Sequence, residues 1–419
     1  MPPPELLCPA GTLKNLRYAL AYGADAVYAG VPRYSLRVRE NDFDAEALAT
    51  GVAAAHAAGR RFYLVANAVP HGAKLRTFLA DTAPLVELRP DALIMADPGL
   101  IAVVRERWPA MPIHLSVQAN TTNAAAVRFW RSVGIRRVIL SRELSLDEIA
   151  AIREDCPDVE LEVFVHGALC IAHSGRCLLS GYFNHRDANQ GACTNACRWE
   201  YRVGRAPDED AGVQHYLEET TRPGQFMPVF EDAQGTYVMN ARDLRAVEHV
   251  ARLAAIGVDS LKIEGRTKSA YYVARTAQVY RRAIDAAAAG APFDPAWLAE
   301  LEGLSHRGYT DGFLQRHEPQ ELQNYRTGAS RSDRALFVAE VVGTDPATGR
   351  AELAVKNKLA VGDEVELIAP GGNRRLRIAA LEDMDGRPLR EAPGGGWRVR
   401  TPLPLAPDQA GFALLAKLL

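Results

Sequence analysis

The sequence predicts an α/β fold: a (β/α)8 TIM-like barrel with an insertion after strand seven, followed by a small all-β barrel domain. Eight short runs rich in Val, Ile and Leu alternate with amphipathic stretches over about 290 residues, the rhythm of βα units around a parallel sheet. One interval breaks that rhythm. About 75 residues separate the seventh run from the next helical pattern near Asp243, where a βα loop normally takes roughly 2 to 6. After Ser330 the helical period disappears, and short alternating strands separated by Gly/Pro turns take over.

The eight barrel strands are expected at 5–9, 26–30, 62–67, 92–96, 113–117, 138–141, 161–165 and 260–263, each a short apolar run. Helices are expected between them, among others at 13–22, 45–58 and 122–133. Thr12 and Asp44 are suited to cap the first two, while Gly59 and Gly134 follow the ends of the last two. The barrel domain then spans 1–330, with a cysteine-rich insertion at about 168–236. Part of that insertion, 206–224, is acidic and polar with little to bury, and reads as a lid or a solvated loop. Residues 331–419 form the small β domain, with strands at 336–342, 351–355, 364–368, 376–380, 397–400 and 412–415.

Composition narrows the function. With 48% hydrophobic and 24% charged residues the chain is globular, and a net charge of −2 excludes a chain-wide basic field. Any nucleic-acid contact must therefore be a local patch. Neither a signal peptide nor an apolar run near the ~18 residues of a membrane span is present, so a cytoplasmic protein with no membrane partner is expected. In that reducing compartment six cysteines read as thiols or metal ligands.

Four of the six cluster as Cys170-x6-Cys177-x15-Cys193-x3-Cys197, inside the insertion that overhangs the barrel mouth. Four thiolates suit a tetrahedral zinc or a four-iron cluster equally in number. Spacing leans toward iron-sulfur, because only Cys193 and Cys197 have the short separation usual for zinc. His166, His173 and His185 interleave with the cysteines, which keeps a mixed Cys/His zinc site open.

The string Phe164-Val-His-Gly-Ala-Leu-Cys-Ile-Ala-His-Ser-Gly-Arg-Cys-Leu-Leu-Ser180 resembles the signature of the collagenase-like peptidase family U32. Glu5-Leu-Leu-Cys-Pro-Ala-Gly-Thr12, Gly23-Ala-Asp-Ala-Val-Tyr-Ala-Gly30, Tyr34-Ser-Leu-Arg37, Ser260-Leu-Lys-Ile-Glu-Gly-Arg266 and His306-Arg-Gly-Tyr-Thr-Asp-Gly-Phe313 follow in the order that family uses. Within it, Pro32-Arg-Tyr-Ser-Leu-Arg-Val-Arg39, His114-Leu-Ser-Val-Gln-Ala-Asn120, Ile139-Leu-Ser-Arg-Glu-Leu-Ser145 and Asn189-Gln-Gly-Ala-Cys-Thr-Asn-Ala-Cys-Arg-Trp-Glu-Tyr201 are most similar to the tRNA-hydroxylating branch. That resemblance implies a [4Fe-4S] cluster on the four cysteines. It also implies prephenate as cosubstrate, and 5-hydroxylation of the wobble uridine of tRNA without molecular oxygen. The electron donor and any protein partner stay unspecified. Cys8 departs from the small residue relatives often carry there, and the tract after Tyr201 is shorter than theirs.

Such chemistry needs polar groups at the strands' C-terminal ends. Four residues are the catalytic candidates: His166 ending strand seven, Gln118 after strand five, Arg142 after strand six and Glu264 after strand eight. Arg37, Asn120, Arg266 and Tyr309 are the candidates for binding substrate. Gln118 or Asn120 can read a pyrimidine edge, and an arginine can clamp a phosphate or carboxylate. The plainer reading of Arg142-Glu143 and of Lys262 with Glu264 is a pair of rim salt bridges, and that of Gly11-Thr12 is a helix cap. Two other functions compete. A peptidase fits the family name, yet Gly-x-Ser-x-Gly and His-Glu-x-x-His motifs are missing. A non-catalytic RNA-binding protein with structural zinc also fits the cysteines.

Overall fold

The computed structural model describes residues 2–31, 33–36, 43–169, 199, 201–205, 215–220, 223–224, 226–229, 231–232, 235–236, 242–315, 332, 334–345, 347–405 and 411–419. Arg37 and all four clustered cysteines, Cys170, Cys177, Cys193 and Cys197, lie outside these residues, as do His173 and His185. Eight parallel strands form the barrel: β1 (Glu5–Pro9), β2 (Ala26–Gly30), β3 (Arg61–Ala66), β4 (Ala92–Met95), β5 (Ile113–Leu115), β6 (Arg137–Ile139), β7 (Glu160–Ala168) and β8 (Ser260–Ile263). Each pairs with its sequence neighbour, and β8 pairs with both β7 and β1, which closes the ring. Closure is the feature that periodicity alone could not supply.

The helices lie outside, and their caps follow the expected chemistry. Thr12 and Asp44 accept the backbone N–H groups of Asn15 and Ala47, starting helices Leu13–Ala21 and Ala45–Ala57. Ser145 and Glu148 form a reciprocal capping box at the start of Leu146–Asp155. Several boundaries differ from expectation: β6 ends at Ile139, β7 runs on to Ala168, and two further cases have a visible cause. β5 stops at Leu115, because the chain tightens into a 3-10 turn at Val117–Ala119 that ends with Asn120 in the left-handed region, φ 49°. Near Asp243 the chain forms a strand, Asp243–Arg245, antiparallel to the end of β7, and the helix starts only at Val250. Pairing with the overhanging backbone of Gly167 and Ala168 holds that segment extended.

Inside the barrel the lower layers carry charges as well as hydrocarbon. Glu162 on β7 is fully buried and receives Lys262 Nζ of β8 at 2.7 Å and Arg137 of β6 at 3.3 Å. Arg137 also reaches Glu5 of β1 at 2.6 Å and Glu160 at 2.8 Å, while Tyr63 of β3 donates to Glu5 at 2.7 Å. Every carboxylate here has a cation, so none is left as a bare buried charge.

Residues from Ala335 onward form a second layer. Eight antiparallel strands pair in the spatial order Gly372–Arg377, Glu364–Ala369, Leu414–Leu418, Ala335–Thr344, Ala351–Val355, Arg398–Thr401, Leu381–Glu382, Pro388–Leu389. A two-stranded ribbon, Asn357–Ala360 with Glu391–Gly394, shares their core. The strand expected at 376–380 begins earlier, because the Gly371-Gly372 turn lets Gly372 pair at once with Ala369. Side-chain alternation divides this sheet between two cores: Leu367 and Leu415 pack inside it, whereas Ile368, Leu414 and Ala416 join the core of the barrel. Arg275 of helix Ala270–Ala288, 1% exposed, ties Glu300 at 2.7 Å and also pairs with Glu366 of the sheet. Among the described residues no helix is long and apolar enough to cross a membrane.

Removing one member of a buried ion network leaves its partners desolvated and uncompensated, so Glu162→Ala is expected to lower stability by ~3–5 kcal/mol in urea unfolding. A loss below about 1 kcal/mol would show that the network contributes nothing to closure.

Candidate active site

The strands' C-terminal ends gather two groups of side chains. The first occupies the upper lumen. Tyr28 on β2 donates to Ile263 O at 2.9 Å, and Lys262 Nζ lies 4.4 Å from the Tyr28 ring centre and 5.4 Å from that of Phe164. Arg142, half-buried beyond β6, places its guanidinium carbon 3.9 Å from the Phe164 ring centre and donates through Nη1 to Ala168 O at 2.8 Å. Burial pushes the Tyr28 phenol well above its ordinary value; nearby Glu264 raises it further, while Arg266 and Arg142 oppose the rise. Tyr28 therefore stays protonated, and the charges of Arg142, Glu264 and Arg266 all act on it. Burial lowers the Lys262 ammonium from its usual range, against the pull of Glu162.

Glycines make room for this arrangement. A Cβ on Gly30 would lie 2.4 Å from Arg266 Nη1 and 2.6 Å from Ser35 Oγ, and those two atoms are hydrogen-bonded at 2.6 Å. On Gly11 a Cβ would sit 1.9 Å from Arg266 O, so the Gly11-Thr12 turn serves as a cap and as clearance for the chain after β8. Gln118 ends a row across the mouth: Asn67 Nδ2 donates to Ser116 Oγ at 3.2 Å, and Ser116 to Gln118 Oε1 at 3.3 Å. Asn120 is half-buried just beyond it.

The second group lies on the flank. His166 follows a register shift between Lys262 and Ile263 in the pairing of β7 with β8, and its ring packs against Tyr272, Tyr280 and Tyr309, with centres 5.7, 5.5 and 5.5 Å away. Two of these tyrosines belong to helix Ala270–Ala288, so His166 meets the outer helix layer and is 1% exposed. Tyr280 donates to Val165 O at 2.6 Å and lies 3.4 Å from His166 Nδ1. Tyr309 belongs to this group, with Arg245 over its ring and His306 stacked on it at 4.2 Å. An open cleft of 580 Å³ adjoins it, lined by Arg242, Arg245, His249, Tyr309 and Asp311 among others.

The structure thus puts Arg142, Glu264 and Arg266 within electrostatic reach of Tyr28, sets Gln118 and Asn120 beyond β5, and separates His166 and Tyr309 onto the flank. The proposed rim pairs differ: Lys262 pairs with Glu162 below it, and Glu143 bonds Ser141. Phe164 and Tyr28 went unnoticed in the sequence, although the period-two alternation Glu162, Phe164 on β7 was the available signal. Among the described residues no group of three or more His, Cys, Asp or Glu side chains is arranged to hold a metal ion. Chemically, the mouth offers two guanidinium groups, one carboxylate and two amides above an aromatic floor, a set suited to a planar polar ligand with negative charge nearby.

Burial holds His166 down to about 3 and His114 well below its ordinary 6.5. Above 6.5 both are neutral whether folded or not; as pH falls from there toward 3, the unfolded chain gains protons that the folded one refuses. Stability is therefore expected to decline between about pH 6.5 and pH 3, and His166→Gln to flatten that decline. Urea midpoints at about pH 7 and pH 5 check it: an unchanged slope in the variant contradicts the assignment.

A family model described as Peptidase family U32 matches residues 11–324, and one described as Peptidase family U32 C-terminal domain matches 333–414. The chain is 58% identical over 426 residues to a protein named tRNA hydroxylation protein P in Escherichia coli (strain K12), covering 96% of this chain and 94% of that one. With the protein of the same name in Haemophilus influenzae it shares 55% over 422 residues, covering 94% and 92%. At 29% over 383 residues, covering 87% and 86%, it is similar to a protein named Collagenase in Porphyromonas gingivalis. A match of that extent to the first model, with the second following in register over the C-terminal sheet, leaves one conclusion: the chain belongs to peptidase family U32.

Proposed function

We propose that this chain is a tRNA uridine 5-hydroxylase of the oxygen-independent type, acting on the wobble uridine in the cytoplasm. In this reading prephenate is the cosubstrate, and a [4Fe-4S] cluster is held by Cys170, Cys177, Cys193 and Cys197. The observation that carries it is the 58% identity, over 96% of the chain, to a protein named for tRNA hydroxylation. Geometry lends support. β7 ends at Ala168, two residues before Cys170, and Arg142 is bonded to that same strand end. A thiolate-ligated cluster supplies one-electron transfer. The chain's own side chains do the rest: Gln118 and Asn120 read the pyrimidine edge, Arg266 holds negative charge, and the lower ion network keeps the floor fixed and dry.

A peptidase reading rests on the 29% identity to a protein named Collagenase. It requires an activated nucleophile, whereas the described cysteines, Cys8 and Cys156, are buried, and burial pushes the Cys8 thiol far up. The hydroxylase reading is the better supported.

Deleting the gene in a strain without a redundant hydroxylase is expected to abolish 5-hydroxyuridine-derived nucleosides in total tRNA, read by mass spectrometry; an unchanged profile rejects the substrate. Anaerobically purified protein is expected to be brown, with broad absorbance near ~400 nm, and to lose iron in Cys170→Ala and Cys193→Ala. Full iron loading of both variants rejects the ligand set, and zinc without iron in the wild type favours an RNA-binding scaffold.

A further inference from the structure

We infer that Arg142 is a stacking platform for the unstacked pyrimidine, using the plane of its guanidinium rather than its charge. This inference rests on the tRNA-hydroxylase reading and adds to it the group that receives the base. Contacts inside the upper lumen alternate between rings and cations: Tyr28 touches Lys262, Lys262 touches Phe164, and Phe164 touches Arg142. The first three are buried at 3%, 3% and 5% exposure, and Arg142 alone is half-exposed. The series ends at the mouth on a guanidinium, the one planar cation in it, on which a further planar group can stack.

Three observations set the plane and not the charge as the working feature. At 3.9 Å from the Phe164 centre, the guanidinium carbon is in van der Waals contact with the ring. Its Nη1 is already committed to Ala168 O at 2.8 Å, which fixes its orientation and removes one prong of a two-pronged anion clamp. Among the described residues Arg142 forms no ion pair and its Nε has no hydrogen-bond partner, so no carboxylate pulls the group off the ring. A weakly hydrated guanidinium pinned on one face is well suited to receive a base on the other, as arginine planes do for single-stranded RNA. Glu264 and Arg266 act together with Arg142 on the phenol of Tyr28, at the other end of the series.

The test uses full-length protein and two synthetic anticodon stem-loops, one with uridine at the wobble position and one abasic there. Wild type is expected to prefer the uridine loop by about 5- to 150-fold, the range of one base stacked on a planar side chain. Arg142→Gln keeps a planar group without charge, and Arg142→Lys keeps the charge without the plane. Retention of most of the preference in Arg142→Gln, with its loss in Arg142→Lys, supports the platform. The reverse order overturns it and assigns Arg142 to charge recognition. Absence of any wild-type preference, while the deletion strain still loses its hydroxylated nucleosides, overturns the platform and leaves the hydroxylase reading standing. An unchanged nucleoside profile rejects that reading, and the platform falls with it.

Discussion

The barrel depends on one buried constraint, the carboxylate of Glu162. It lies on β7, beside the seam where the ring closes through β8, and it is held from both sides by Lys262 on β8 and Arg137 on β6. Through Arg137 the same network extends to Glu5 on β1. Hydrocarbon layers would close a barrel by packing alone; charges in low dielectric demand a partner at a fixed distance, and so impose register on the strands that carry them. The site above inherits that rigidity, because Lys262 also lies against Tyr28 and Phe164, on which Arg142 rests.

β7 is the element that divides the mouth. Phe164 faces the lumen with Glu162, whereas the register shift beside Ile263 turns His166 toward the outer helix and its tyrosines. Past the barrel the strand continues to Ala168 and gains Asp243–Arg245 as an antiparallel neighbour, to which Tyr309–Thr310 adds in turn. One strand thus supports the lumen, the flank and the departure of the chain toward Cys170.

The C-terminal sheet is anchored by mixed means. Apolar side chains of three of its strands enter the barrel core, Tyr22 donates to Ile368 O and Phe412 O at 3.0 and 2.8 Å, and the buried Arg275 bridges the helix layer to Glu366. Between these anchors lies a cleft of 910 Å³ whose lining includes Arg275, Gln278, Glu300, Glu366 and Arg375. A sheet held this way restrains helix Ala270–Ala288, whose Tyr272 and Tyr280 face His166.

The sequence by itself determined the elements and their order. Runs of β-branched residues, caps at Thr12 and Asp44, and the interval after β7 are local signals, legible because strand and helix periods are written residue by residue. It also named Arg142, Glu264, Arg266, Gln118 and Asn120 as mouth residues, since position after a barrel strand follows from order alone. Only the tertiary structure decided which faced which. Sequence proximity suggested Lys262 with Glu264, but the closed ring brings Lys262 to Glu162, a hundred positions away. A single register shift turned His166 from the lumen to the flank, and spacing carries no sign of such an irregularity. Pairing across a closed barrel is set by the register of strands distant in the chain, and that information exists only once the ring has formed.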